Sequence, residues 1–211
     1  MRPRFGDDIV VRNELYFAIP GDLAAATGGY GYDRQIISGL RQRGWTVHIV
    51  GLAEGFPFPD QQVLDEADAI LKRIPKHQLL LIDGLALGVL PETAQQLALS
   101  HHLIALVHHP LALESGLTEQ QCKSLTESEH EALKYASNII VTSPATSRLL
   151  SDDFKVASER ITVICPGTDK ATFAQGSKDE MIRLLSVGSL IPRKGFESLV
   201  HALATLKDLP W

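Results

Sequence analysis

Residues 15–40 read LYFAIPGDLAAATGGYGYDRQIISGL, and the fold class is decided there. Residues 15–19 are an apolar run of strand length, stopped by Pro20 and Gly21. Thr27 is placed to cap a helix, and Gly28, Gly29 and Gly31 let backbone N–H groups come close to a ligand. From Tyr32 onward, Tyr32, Ile36, Ile37 and Leu40 keep helical spacing, which assigns Asp33, Arg34 and Gln35 to the opposite face. A helix N-terminus behind glycines attracts anions, because its unpaired N–H groups and the helix dipole both favour negative charge. A phosphate-bearing ligand is one reading of this stretch. A glycine loop that merely turns the chain is the other, and the stretch alone does not choose between them.

Outward from this unit the chain alternates. Residues 45–50 form a second strand after the helix-ending Gly44, and Gly55-Phe56-Pro57-Phe58-Pro59 is a loop. Asp60 caps a helix reaching about residue 74, with Val63, Leu64, Ala67, Ile70 and Leu71 as its buried stripe. Strand 78–82 ends in Asp83-Gly84, a short helix spans 91–100 with Pro91 in its first turn, and strand 103–107 ends in His108-His109-Pro110. A long helix follows over 118–136, opened by a Thr-x-x-Gln capping box. Strand 138–142, a helix opened by Pro144 and strand 161–164 complete the series. Strands alternating with helices predict an α/β fold, a doubly wound parallel sheet covered on both faces.

Residues 1–165 are thus read as one domain. Residues 166–180, carrying Pro, Gly, Ser and Asp, read as a linker. The pattern then restarts within 181–211: strand 182–187, loop 188–193, helix 195–206, the first unit of a second domain.

Composition narrows the function. The chain has 211 residues, 45% hydrophobic and 21% charged, and a net charge of −5 with no basic stripe. Nucleic acid and anionic membrane are therefore poor partners. No apolar run approaches the ~20 residues of a membrane span, and the N-terminus lacks a signal-peptide core, so a cytoplasmic location is expected. Cys122 and Cys165 have no metal-ligand spacing. The histidines at 101, 102, 108 and 109 are adjacent pairs that do not converge on one face, so no metal site is expected. Gly29-Tyr30-Gly31 lacks the third glycine of a dinucleotide fingerprint, and Val50-Gly51-Leu52 occupies the place of a ribose-binding acid. P-loop and nucleophile-elbow patterns are absent.

In open α/β sheets a ligand lies beyond the carboxyl ends of the strands. His108 follows an all-apolar strand and should reach that rim, where it can donate a hydrogen bond or act as acid or base, while His109 points the other way. Asp83 can bind sugar hydroxyls or hold its own loop through an Asx turn, the second being favoured. Thr142 and Ser143 fit helix capping, and Glu114 fits a solvated loop. Arg193 and Lys194 stand beside a helix N-terminus, the wrong end for cations, a conflict that a bound diphosphate would relieve. A solvated charge pair is the simpler alternative.

Taken together, Gly28-Gly29, His108, Pro166-Gly167-Thr168-Asp169 and VGSLIPRKGFESLVHAL (187–203) resemble glycosyltransferase family 4 over most of the chain. The resemblance implies the GT-B fold, two facing Rossmann-like domains, of which residues 1–165 would be the acceptor-side one. It implies transfer of a hexose from a nucleoside diphosphate sugar to an acceptor hydroxyl, with retention and without a cofactor or obligatory metal. By the same resemblance Gly28, Gly29 and Lys194 meet the donor diphosphate and His108 lies beside the transferred sugar, as a hydrogen-bonding group and not a nucleophile. Gly188-Ser189 departs from the family's Gly-Arg pair, and Arg193 would supply the missing charge. Family members continue into a full donor domain, so the chain is expected to be an incomplete piece with little activity alone. Its orphan C-terminal unit would pack on the first domain or exchange in a dimer. The rival readings are a non-catalytic binding domain and a GT-B epimerase or phosphorylase.

Overall fold

The computed structural model of the protein describes residues 13–176, 182–188 and 190–209. Six strands, β1 (Glu14–Pro20), β2 (Thr46–Leu52), β3 (Leu79–Asp83), β4 (His102–Val107), β5 (Asn138–Val141) and β6 (Ile161–Val163), form one sheet in the order β2-β1-β3-β4-β5-β6. Every pairing is parallel. The helices between them are α1 (Gly28–Gln42), α2 (Gln61–Leu71), α3 (Gly84–Leu87), α4 (Pro91–Ala98), α5 (Glu119–Tyr135) and α6 (Pro144–Asp152). This is a Rossmann-like α/β sheet, as the alternation predicts. Its strand order grows one way from β1 and the other way from β3, and the carboxyl ends of those two strands are where such sheets place a ligand.

Helix starts follow the side chains that cap them. Thr27 accepts from the Tyr30 N–H, Asp60 from Val63, and Ser143 from Thr146. Thr118 and Gln121 form the anticipated capping box. Thr142 does not cap; its hydroxyl donates to the His108 carbonyl at 3.3 Å. The four-residue α3 was not anticipated: Asp83 turns the chain straight from β3 into it, its Oδ1 accepting from the Leu85 N–H at 2.7 Å.

Period-2 alternation divides the strands between two cores. Ala18, Leu80, Ile82, Leu103, Ala105 and Val107 face the larger core, which α2 to α6 close with residues such as Leu71, Leu87, Leu97, Leu133 and Leu150. Leu15, Phe17, Ile19, Leu81 and Leu106 face the smaller one, closed by α1 through Tyr32 and Ile37. At roughly 25 cal/mol per Å² of buried apolar surface, both contribute, the first much more.

The C-terminal expectation fails in part. Residues 182–188 form no strand, and Leu185 and Val187 are almost fully exposed. A strand exists only through its neighbour, and nothing among the described residues pairs with this segment. The helix expected after it does form, α7 (Phe196–Ala204), because its hydrogen bonds are internal. It buries none of its residues. Residues 1–12, linker positions 177–180, Met181 and Ser189 lie outside the described residues. Among those described, no helix is long and apolar enough to cross a membrane.

Candidate functional site

Alternation along β3 and β4 aims two polar side chains at α1. Asp83 lies two residues beyond Leu81, and His108 two beyond Leu106, and both leucines belong to the α1-facing core. Asp33 meets them from α1. It stands four residues before Ile37, on the same helical face, and is completely buried. Its assignment to the solvent face is therefore wrong, whereas its neighbours Arg34 and Gln35 are indeed exposed. The spacing to Ile37 was the available signal. Residue type masked it, because a carboxylate normally stays in water unless it finds a partner.

That partner is His108. Its Nε2 donates to Asp33 Oδ1 at 3.2 Å and lies 3.8 Å from Asp83 Oδ2, an electrostatic distance rather than a hydrogen bond. The Tyr32 ring meets the imidazole at right angles, with centroids 5.4 Å apart, and the Tyr32 hydroxyl donates to the Ile164 carbonyl. Tyr30 ties the helix start to the end of β1 by donating to the Pro20 carbonyl at 2.7 Å. Asp33 Oδ2 is buried and has no hydrogen-bond partner.

These contacts move the titrations. Burial opposes a charge on His108, but the bond to Asp33 and the nearby Asp83 carboxylate outweigh it and raise its pKa. Burial lifts Asp83 to about 6, helped by Asp33 and resisted by His108 and the Leu85 N–H. Burial also raises the Tyr30 and Tyr32 hydroxyls. One side-chain N or O atom from each of Asp33, Asp83 and His108 lies within 4.8 Å of the other two.

Gly29 stands against this cluster. A Cβ built on it would lie 3.6 Å from His108 Cδ2, an ordinary contact, and one built on Gly28 would meet nothing within 4 Å. Neither glycine has a positive φ. Neither is therefore required by backbone strain or close packing. Their N–H groups have no acceptor among the described residues, as expected of a helix's first turn.

Of the residues proposed from sequence, Gly29, Asp83 and His108 are brought together and Gly28 opens the same helix. Asp83 holds its own turn, as favoured, and also faces the histidine. His109 points away and donates through Nε2 to the Leu113 carbonyl. Glu114 is exposed. Arg193 and Lys194 lie in a 3-10 turn, Pro192–Lys194, followed by Gly195 at φ 66°. No hydrogen bond or ion pair among the described residues joins Lys194, itself exposed, to the His108 cluster. The Arg193 side chain lies outside the described residues.

A second carboxylate escaped the sequence reading. Glu129, on the buried stripe of α5 with Leu125, Ala132 and Leu133, is 1% exposed. Its Oε2 accepts from the Leu111 N–H at 2.9 Å, in the segment just after His108, and its Oε1 has no partner. Burial pushes its pKa up to about 8, against the Leu111 bond.

No protein-family model matches the chain, and no curated protein does. Among solved structures it is similar to the crystal structure of the glycotransferase of kitacinnamycin, with a TM-score of 0.49 and 16% identity. The match covers 92% of this chain and 63% of that one.

Proposed function

We propose that residues 1–165 are the acceptor-side domain of a retaining glycosyltransferase of GT-B architecture. The whole enzyme moves a hexose from a nucleoside diphosphate sugar to an acceptor hydroxyl, and this chain alone has little activity. The observation that carries the reading is the start of α1. Two glycines that the fold itself does not require leave open space and unpaired N–H groups beside His108. An approaching diphosphate would find the positive end of the helix dipole and backbone donors with no side chain in the way.

His108 would hydrogen-bond the donor sugar and take no covalent part. Lys194, with Arg193, would bring opposing charge to the leaving diphosphate from the second unit, residues 181–211, across the linker 166–180. The departing charge is then stabilised from two sides, the largest single term in most group transfers of this kind.

Binding tests this on the chain itself. Uridine, guanosine and adenosine diphosphate sugars are titrated and followed by saturation-transfer NMR. At least one should bind, and Gly29→Val should weaken it at least tenfold. If none binds, or if Gly29→Val binds as well as the wild type, the glycine loop only turns the chain. In a version extended through a full donor domain, labelled donor sugars then separate transfer from mere binding: a bound donor that is never hydrolysed or transferred points to a non-catalytic domain. In an assay that does show transfer, near-normal turnover by His108→Ala removes His108 from the chemistry.

A further inference from the structure

We propose that Asp33 and Asp83 hold His108 as an imidazolium with Nε2–H committed to Asp33, so that His108 meets its ligand as a fixed cationic donor through Nδ1 and never as a base. Asp33 is thus a positioning residue, acting through His108. The inference rests on the reading that His108 touches a ligand, but its own test does not.

The argument starts from the inventory of donors. An ionised carboxylate only accepts, so the 3.2 Å contact between Asp33 Oδ1 and His108 Nε2 requires the proton on Nε2. What remains is whether Nδ1 is protonated too. Every charged group that faces the ring favours it. From α1 come Asp33, wholly buried, and the neutral Tyr32; from the end of β3 comes Asp83 Oδ2 at 3.8 Å. Just past β5 the Thr142 hydroxyl approaches, and it reaches the His108 carbonyl, not the ring. No lysine or arginine makes an ion pair with either aspartate among the described residues. Two carboxylates that are nearly or wholly buried, one with an unpartnered oxygen, leave the imidazolium as their compensating cation.

Geometry then selects the nitrogen offered to a ligand. The Cδ2–Nε2 edge faces Gly29 and Asp33. Nδ1 makes no hydrogen bond among the described residues and is not among the buried unsatisfied atoms. A charged Nδ1–H suits an oxygen that accepts, such as a sugar oxygen or a phosphoryl oxygen. It cannot take a proton from an incoming hydroxyl.

The test reads the ring directly. Two-bond 1H–15N correlations of the 15N-labelled chain are recorded from pH 5 to 9, with His108→Gln used to assign the signal. The wild type should keep the doubly protonated pattern to a pH above the ordinary histidine midpoint of about 6.5. Asp33→Asn should bring the midpoint to about 6.5 or below, and Asp83→Asn should lower it by less. A wild-type midpoint at or below about 6.5 overturns the proposal, as does an unchanged midpoint in Asp33→Asn. Should Asp33→Asn fail to fold, the wild-type midpoint and the fall in Asp83→Asn decide. Micromolar Zn2+ or Mn2+ that shifts or broadens the His108 signals also overturns it, since a metal ion would then be the resident cation. None of these readouts involves a nucleotide sugar. An intact titration without sugar binding sinks the functional reading alone, and sugar binding with an ordinary histidine sinks only this one.

Discussion

The two faces of the sheet bury carboxylates under different terms. On the face covered by α2 to α6, Glu129 sits in the larger apolar core with one backbone N–H as partner, and burial drives it toward the neutral acid. On the α1 face, where the core is smaller and the site opens, Asp33 and Asp83 share an imidazole. Burial lifts both Glu129 and Asp83, but the rise is to about 8 where one backbone N–H is the partner and only to about 6 where an imidazole stands beside the carboxyl. The glycines divide the same way. Gly84 is needed by packing, since a Cβ there would lie 2.9 Å from the Leu106 carbonyl oxygen, whereas the space beside Gly28 is empty.

The largest expected effect tests Glu129. Its folded pKa, about 8, is above its ordinary 4.5. Its contribution to stability is thus complete below the unfolded value and is lost as pH rises through the folded one. The loss is about 1.4 kcal/mol per pH unit, or about 4 kcal/mol between pH 5 and 8. Glu129→Gln keeps an acceptor for Leu111 and does not titrate, so urea melts of this variant should lose that part of the pH dependence. Parallel wild-type and variant profiles would mean that Glu129 is ionised when folded, and the contrast between the faces collapses.

Next in size is Gly84→Ala, which must push the β4 backbone and should cost roughly 2–3 kcal/mol in chemical denaturation. Thr27→Ala removes the α1 cap and should cost about 1 kcal/mol by the same measurement. The smallest stability change sharpens the comparison most. Gly29→Ala places its Cβ at ordinary contact distance from His108. It should raise stability by up to about 0.5 kcal/mol, while weakening nucleotide-sugar binding. A clear drop in melting temperature would return Gly29 to the class of Gly84, a glycine kept for packing.

Much of the fold was legible because its causes are local. Thr27, Asp60, Thr118 and Ser143 cap the helices they precede, and the strand–helix alternation leads to a parallel sheet without knowledge of the rest of the chain. Alternation along β4 also separates His108 from His109 correctly. Asp33 and Glu129 were less visible, although both lie four residues from a buried apolar neighbour on their helices, Ile37 and Leu125 or Leu133. Their residue type argued for solvent, and only a partner from another element reverses that preference.

The sequence by itself determined where helices begin, which strand residues share a face, and that glycines open the first helix beside a strand-end histidine. The tertiary structure alone decided the strand order, the burial of Asp33 and Glu129, and the absence of a strand at 182–188. The reason is one of range. Caps and helical hydrogen bonds close within four residues, whereas a strand or a buried charge depends on what distant parts of the chain place beside it.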